Sequence, residues 1–129
     1  DWLEETVLTG MPQGQQHHFG YGTVEYCQQH GIQLQSWGSL AKGIYSGASC
    51  QTDTQQATAA LVAQLAEQYR CSREAIVLAW LMRHPAAVQP VIGTANPGRI
   101  AACAEATTIS LSREHWYQLY VSRRGQALP

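Results

Sequence analysis

Apolar positions along the 129-residue chain change their period several times, and each change marks a predicted element. Residues 1–22, DWLEETVLTGMPQGQQHHFGYG, keep no period and hold four glycines and a proline, which predicts an irregular connector. A short helix follows over Val24–His30, with Thr23 as cap, Glu25 in its first turn and Gly31 just past its end. Ile32-Gln33-Leu34-Gln35-Ser36-Trp37 then alternates as a strand does, and Gly38–Thr52, rich in glycine and serine, reads as a long loop. Asp53 or Thr54 caps a helix reaching Tyr69, with Ala57, Leu61 and Leu65 four apart and Val62 and Ala66 beside them. Ser72 caps the next helix, whose interior AIVLAWLM is apolar on every face and is therefore expected to be buried. His84-Pro85 ends it. Pro90-Val91-Ile92 is a second short strand, followed by a helix from Pro97 and a last one from Ser112 to about Arg124.

Strands alternating with helices argue for parallel βα units and an α/β class. Yet only two strands are convincing, and they are too few to cover the apolar helix. The element order therefore predicts part of a domain, with either self-association or some disorder to compensate. Composition alone points to one globular domain, since 45% of residues are hydrophobic. Charged residues make up only 13%, the net charge is −1 and the pI is near 6.6, which favours neither nucleic acid nor an acidic membrane as partner. Arg123-Arg124 is the only adjacent cation pair, and a helix end explains it. Cys27, Cys50, Cys71 and Cys103 form no C-x-x-C, and neither a signal peptide nor a membrane-length apolar run is evident. The expectation is reduced thiols in a cytoplasmic protein; two disulfides in a secreted chain are the alternative.

Two segments carry candidate chemistry. In PVIGTANPGRIAACAEA a strand empties into small residues where a helix begins. Asn96 can cap that helix and Pro97 suits its first position. Gly93, Thr94 and Ala95 let an anion approach the backbone N–H groups there, and Arg99 in the first turn can pair with phosphate or lie over a flat ring. Taken alone, the segment reads first as an ordinary βα turn with a solvated arginine, and the phosphate site is the alternative. In SWGSLAKG an aromatic ends the first strand and Lys42 follows; Trp37 either stacks on a heteroaromatic ring or packs in the core. His17, His18, Cys27 and His30 offer four ligand types for zinc at a spacing that fits no standard finger. His84 reads as structural, His115 as solvated beside Glu114. Trp116, Tyr117 and Tyr120 read as a packed helix face, or as exposed apolar surface.

Taken together, in this order and spacing, VEYCQQHGIQLQSWGSLAKG and AWLMRHPAAVQPVIGTANPGRIAACAEA resemble the C-terminal part of the aldo-keto reductases. The first is similar to that family's sixth helix and seventh strand, the second to its seventh helix, eighth strand and cofactor helix. The tail LSREHWYQLYVSRRGQALP is similar to the closing helix of the YdhF-like bacterial branch. The resemblance covers about residues 23–129 and implies the C-terminal portion of a (β/α)8 TIM barrel, mostly helical with about two parallel strands, on its cofactor-binding side. By position it implies that Trp37 stacks on the nicotinamide of NADP(H). Gly38, Ser39, Leu40, Lys42 and Gly43 would line the pyrophosphate loop. Gly93, Thr94, Ala95, Asn96 and Arg99 would hold the adenosine end. Gly38-Ser39 replaces Ser-Pro, Ala102-Cys103 replaces Glu-Asn, and Gly93 stands where many members have lysine, so NAD(H) stays open as an alternative.

The family's Asp-Tyr-Lys-His tetrad would lie upstream of these segments, and Lys42 is the chain's one lysine. The implied function is the cofactor-binding part of an NADP(H)-dependent carbonyl reductase acting on a small carbonyl substrate, with no catalytic residue in this stretch. A self-associating module without catalytic activity and a zinc-binding module are the competing expectations.

Overall fold

In the computed structural model, residues 22–127 are described. Helix α1 (Thr23–Gln29) leads to β1 (Gln35–Ser36) and a 3₁₀ segment at Ala41–Ser46. Helices α2 (Asp53–Tyr69) and α3 (Arg73–Met82) come next, then β2 (Gln89–Pro90) and α4 (Pro97–Ala104). A second 3₁₀ turn at Glu105–Thr108 and α5 (Arg113–Arg124) complete the order. The two strands are parallel, with Gln35 opposite Gln89 and Ser36 opposite Pro90.

Both strands are shorter than their apolar pattern predicts, for local reasons. Gly31, at φ 63°, lets Ile32 turn back so that its N–H donates to Cys27 O at 2.8 Å and Gly31 N–H to Gln28 O at 3.4 Å. That pair of bonds is a Schellman closure of α1, and it takes Ile32 out of the ladder. At the other end Gly38, at φ 64°, turns the chain one residue after Trp37. Ladder bonds run from Gln89 N–H to Leu34 O and from Val91 N–H to Ser36 O, each 2.8 Å. Pro90 lies between these donors, so its missing N–H falls on the edge away from β1 and weakens nothing here.

Helix α3 is the centre. Its side chains from Ala75 to Leu81 are all buried, as an all-apolar interior predicts, and it packs on α2, α4, β2 and both 3₁₀ segments. Trp80, 2% exposed, reaches α5: its ring lies 5.0 Å from that of Trp116 at an interplanar angle of 6°. Each indole N–H donates to the other residue's backbone carbonyl, Trp80 Nε1 to Trp116 O at 3.0 Å and Trp116 Nε1 to Trp80 O at 2.9 Å. The pair thus buries the Trp80 ring and half-buries that of Trp116 without leaving an indole donor unmade.

Caps and faces shift slightly from expectation. Thr52, not Asp53 or Thr54, caps α2, accepting from Gln55 N–H at 3.2 Å. Thr23 is the first helical residue of α1 and Gly22 takes the cap position. Helix α2 buries Thr58, Val62, Leu65 and Ala66, while Ala57 faces solvent. The stripe is rotated because Thr58 satisfies its hydroxyl internally, donating to Thr54 O at 2.8 Å and meeting Ser122 Oγ of α5 at 3.0 Å. His115 is half-buried, not solvated: its Nδ1 lies 2.8 Å from the Tyr69 hydroxyl, which also accepts from Ser112 N–H at 3.0 Å. The expected loop after β1 also feeds the core, with Tyr45 2% exposed. The connector expected over residues 1–22 lies, except for Gly22, outside the described residues.

Two outcomes follow from this packing. Trp80→Ala should lower the unfolding free energy by about 3–5 kcal/mol, read from the shift of the urea midpoint at constant slope. Burial raises the pKa of the Tyr45 phenol from 10.0, with Arg123 opposing the shift. The unfolded chain therefore releases this proton first, and stability should fall as pH rises through and above about 10. Tyr45→Phe should flatten that fall in pH-dependent unfolding curves.

Candidate cofactor site

Because β1 and β2 run parallel, their carboxyl ends emerge side by side, and the chain after each lies on the same rim. Ser39 ties the two exits together. Its side chain is 5% exposed, and its hydroxyl sits 2.7 Å from Ser36 O, 3.3 Å from Val91 O and 2.9 Å from Ser36 Oγ. One hydroxyl proton is thus shared among acceptors on both strands, so Ser39 serves the frame before any ligand.

Beyond Ser39 the backbone is wound left-handed. Ala41, Lys42 and Gly43 have φ of 49°, 56° and 83° in succession. The glycine adopts this freely; each of the other two stores roughly 1–2 kcal/mol. Ala41 N–H donating to Gly38 O and Gly43 N–H donating to Leu40 O, both at 2.8 Å, hold the turn. The result leaves Ala41 in the core and Lys42 exposed at the rim.

On the β2 side, Asn96 caps α4 through Oδ1, which accepts from Arg99 N–H at 3.0 Å, and Thr94 Oγ1 accepts from Asn96 N–H at 3.2 Å. Pro97 has no N–H, so among the first three helical residues only the Gly98 N–H is left for an outside acceptor. A Cβ at Gly98 would stand 3.3 Å from Asn96 Oδ1, tight against the cap.

Between these two exits is a cavity of about 380 Å³. From the first loop Trp37, Gly38, Ser39, Leu40, Lys42 and Gly43 reach it; from the second, Gly93, Thr94 and Arg99 do. Ala95 and Asn96 are not in its wall, and Asn96 acts through the cap. Ser46, Val91 and Ile92 join the wall without having been singled out. Val91 and Ile92 were legible as the strand's end; Ser46 is brought in by the 3₁₀ bend, which no spacing announces. Trp37 is 58% exposed, so the core alternative for it fails. Two cations, an exposed indole and the hydroxyls of Ser39, Ser46 and Thr94 line a surface suited to a flat ring carrying phosphate, while Gly98 is not in its wall. Lys42 makes no hydrogen bond to any tyrosine among the described residues.

Only two of the four residues weighed for zinc, Cys27 and His30, lie within the described residues. His17 and His18 lie outside the described residues, and His30 packs its ring 4.3 Å from that of Tyr26. Among the described residues no three His, Cys, Asp or Glu side chains gather around a common point. His84 is structural, its Nδ1 accepting from Ala86 N–H at 3.1 Å, and burial lowers its pKa despite Glu25.

Known proteins match this arrangement. The model of the aldo/keto reductase family matches residues 12–120. A 6-dehydroglucose reductase of Novosphingobium aromaticivorans is 34% identical over 111 residues, spanning 86% of this chain and 36% of the relative. The oxidoreductase YdhF of Escherichia coli is 28% identical over 109 residues, spanning 84% and 35%. Among solved structures, the thermostable aldo-keto reductase Tm1743, in complex with the inhibitor epalrestat, superposes with a TM-score of 0.63 at 23% identity, covering 78% of this chain and 33% of that one. The chain belongs to the aldo/keto reductase family. Its fold is part of a (β/α)8 barrel, and it spans about a third of the length of the curated relatives it matches.

The strained turn yields a test of its own. Lys42→Gly relieves a left-handed residue with an exposed side chain, while it frees the unfolded chain. It should leave stability unchanged or raise it by up to about 1 kcal/mol in urea unfolding, despite removing the site's lysine.

Proposed function

We propose that this chain is the cofactor-side portion of an NADP(H)-dependent oxidoreductase, and that the cavity between the two strand exits takes part of the nicotinamide cofactor. The observation that carries this reading is the joint lining: segments separated by about fifty residues of sequence place an exposed indole, Lys42, Thr94 and Arg99 around one space. Its volume is at the low end for ligand sites and suits a ring with a phosphate more than a whole dinucleotide. Arg99 would hold the phosphate, Thr94 would add a hydroxyl, and Trp37 would cover a flat ring. Ala95 and Asn96 would contribute by shaping the turn. The bound cofactor would supply the hydride for reduction of a carbonyl or accept it in alcohol oxidation.

In this reading residues 23–129 are the barrel portion, and this stretch alone is inactive because its chemistry needs an acid it does not carry. Its lone lysine sits at the cofactor rim, and the most buried of its described phenols, Tyr45, is pushed up by burial, away from easy ionisation. A small carbonyl compound is the substrate class; the relatives' names make a sugar carrying an aldehyde the first candidate to test. NADP(H) is preferred over NAD(H) on the strength of two cations at the rim. The four described cysteines are free, which accords with a reducing, cytoplasmic setting, and no described helix is long and apolar enough to cross a membrane.

A second reading is favoured by the exposure of Ile32 and Val91 beside the short strands, at 48% and 45%. Such apolar surface at open strand edges suits self-association. Titrating NADPH fluorescence with the chain, in parallel with Arg99→Ala, tests the first reading: saturable binding weakened about tenfold or more by the substitution is expected. Binding that the substitution leaves untouched would remove Arg99 from the site. An absence of binding, together with elution as a defined oligomer, would transfer the proposal to the second reading.

A further inference from the structure

A second groove lies at the far end of α3 from the strand exits, where Arg83 and His84 leave the helix ahead of β2 and the first turns of α5 pass over them. It encloses about 470 Å³ and shares no described lining residue with the cavity at the strand exits. One side is aromatic, formed by Trp116, Tyr117 and Tyr120. These rings are fixed: Trp116 and Tyr120 lie parallel within 6° at 5.9 Å, and Tyr117 meets Trp116 edge-on at 5.1 Å and 85°. The other described contributors are His84, Pro85 and two cations, Arg83 and Arg113. The Arg113 guanidinium stands 5.9 Å from the centre of the Tyr117 ring, and Arg83 is exposed, with no carboxylate partner among the described residues.

Among the described residues no acidic side chain lines the groove. Glu114, the nearest in sequence, is engaged at the start of α5, where its own backbone N–H and Ser112 hold its carboxyl below the usual range. Glu114 also interacts electrostatically with Arg113, but no described acidic side chain is in the lining, and two guanidiniums beside stacked rings are complementary to a planar anion. The volume is that of a small-molecule site and is too small for a docked helix. We propose that this groove binds a small aryl carboxylate, its ring lying against the Trp116–Tyr117–Tyr120 wall and its carboxylate held between Arg83 and Arg113.

The test is calorimetric titration of the chain with 2-naphthoate, the neutral 2-naphthalenemethanol and inorganic phosphate. Naphthoate is expected to saturate with a Kd of about 1 mM or tighter. The alcohol and phosphate should each bind at least about tenfold more weakly, since each lacks one half of the recognition. Arg83→Gln and Arg113→Gln, both at exposed positions, should each weaken naphthoate by about three- to tenfold with helicity unchanged by circular dichroism. Arg99→Ala should change nothing. Equal binding of acid and alcohol, a comparison that needs no variant, would overturn the proposal. So would phosphate binding as tightly as naphthoate, absence of saturation, indifference to both glutamine variants, or loss of binding in Arg99→Ala, which would put the ligand in the other cavity.

Discussion

The burial of α3 on every side constrains everything around it. Seven consecutive apolar side chains, Ala75–Leu81, leave the helix no solvent face, so each neighbour must supply cover. Helices α2 and α4, β2 and the two 3₁₀ segments do this by direct packing, and α5 does it through Trp116. Each well-buried large side chain in that run is worth on the order of 1.5–3 kcal/mol. The reciprocal indole–carbonyl bonds let the two tryptophans meet without an unmade donor. Helix α3 in turn fixes where β2 starts, and so where the chain after β2 emerges.

That emergence point is what turns two unremarkable loops into one candidate site. Parallel register brings the carboxyl ends of β1 and β2 together, and the Ser39 hydroxyl locks the exits to each other. The remaining features differ in kind. On the β2 side the geometry is relaxed, a capped helix start with one donor left over. On the β1 side it is strained, with two non-glycine residues left-handed ahead of Gly43. Strain concentrated beside a cavity that presents a cation is the pattern expected where local stability yields to ligand placement.

The same helix separates two environments. At the strand exits, cations stand beside an exposed indole and a helix start. At the other end of α3, cations stand beside a stacked aromatic wall with no carboxylate among its described lining residues. The two cavities share no described lining residue, so the described residues of each can be changed without touching the other.

Sequence alone determined the helices, because their signals are local. Ser72 and Asn96 cap where side-chain chemistry placed caps, Ser112 caps the helix it was expected to begin, and the apolar run AIVLAWLM could only be buried. The family, too, was legible, since order and spacing of motifs survive without coordinates. Tertiary structure decided the rest. Ile32 left its strand because a helix-closing turn claimed its N–H. The stripe of α2 rotated toward Thr58, whose hydroxyl finds Ser122 only once α5 has docked. His115 acquired Tyr69 as partner across 46 residues. Trp37–Gly43 and Gly93–Arg99 read as two separate segments in the chain; that they face one space depends on the register of a two-residue parallel ladder. A cap or an apolar run is written within a few residues, whereas a shared cavity is a relation between distant ones that only packing can settle.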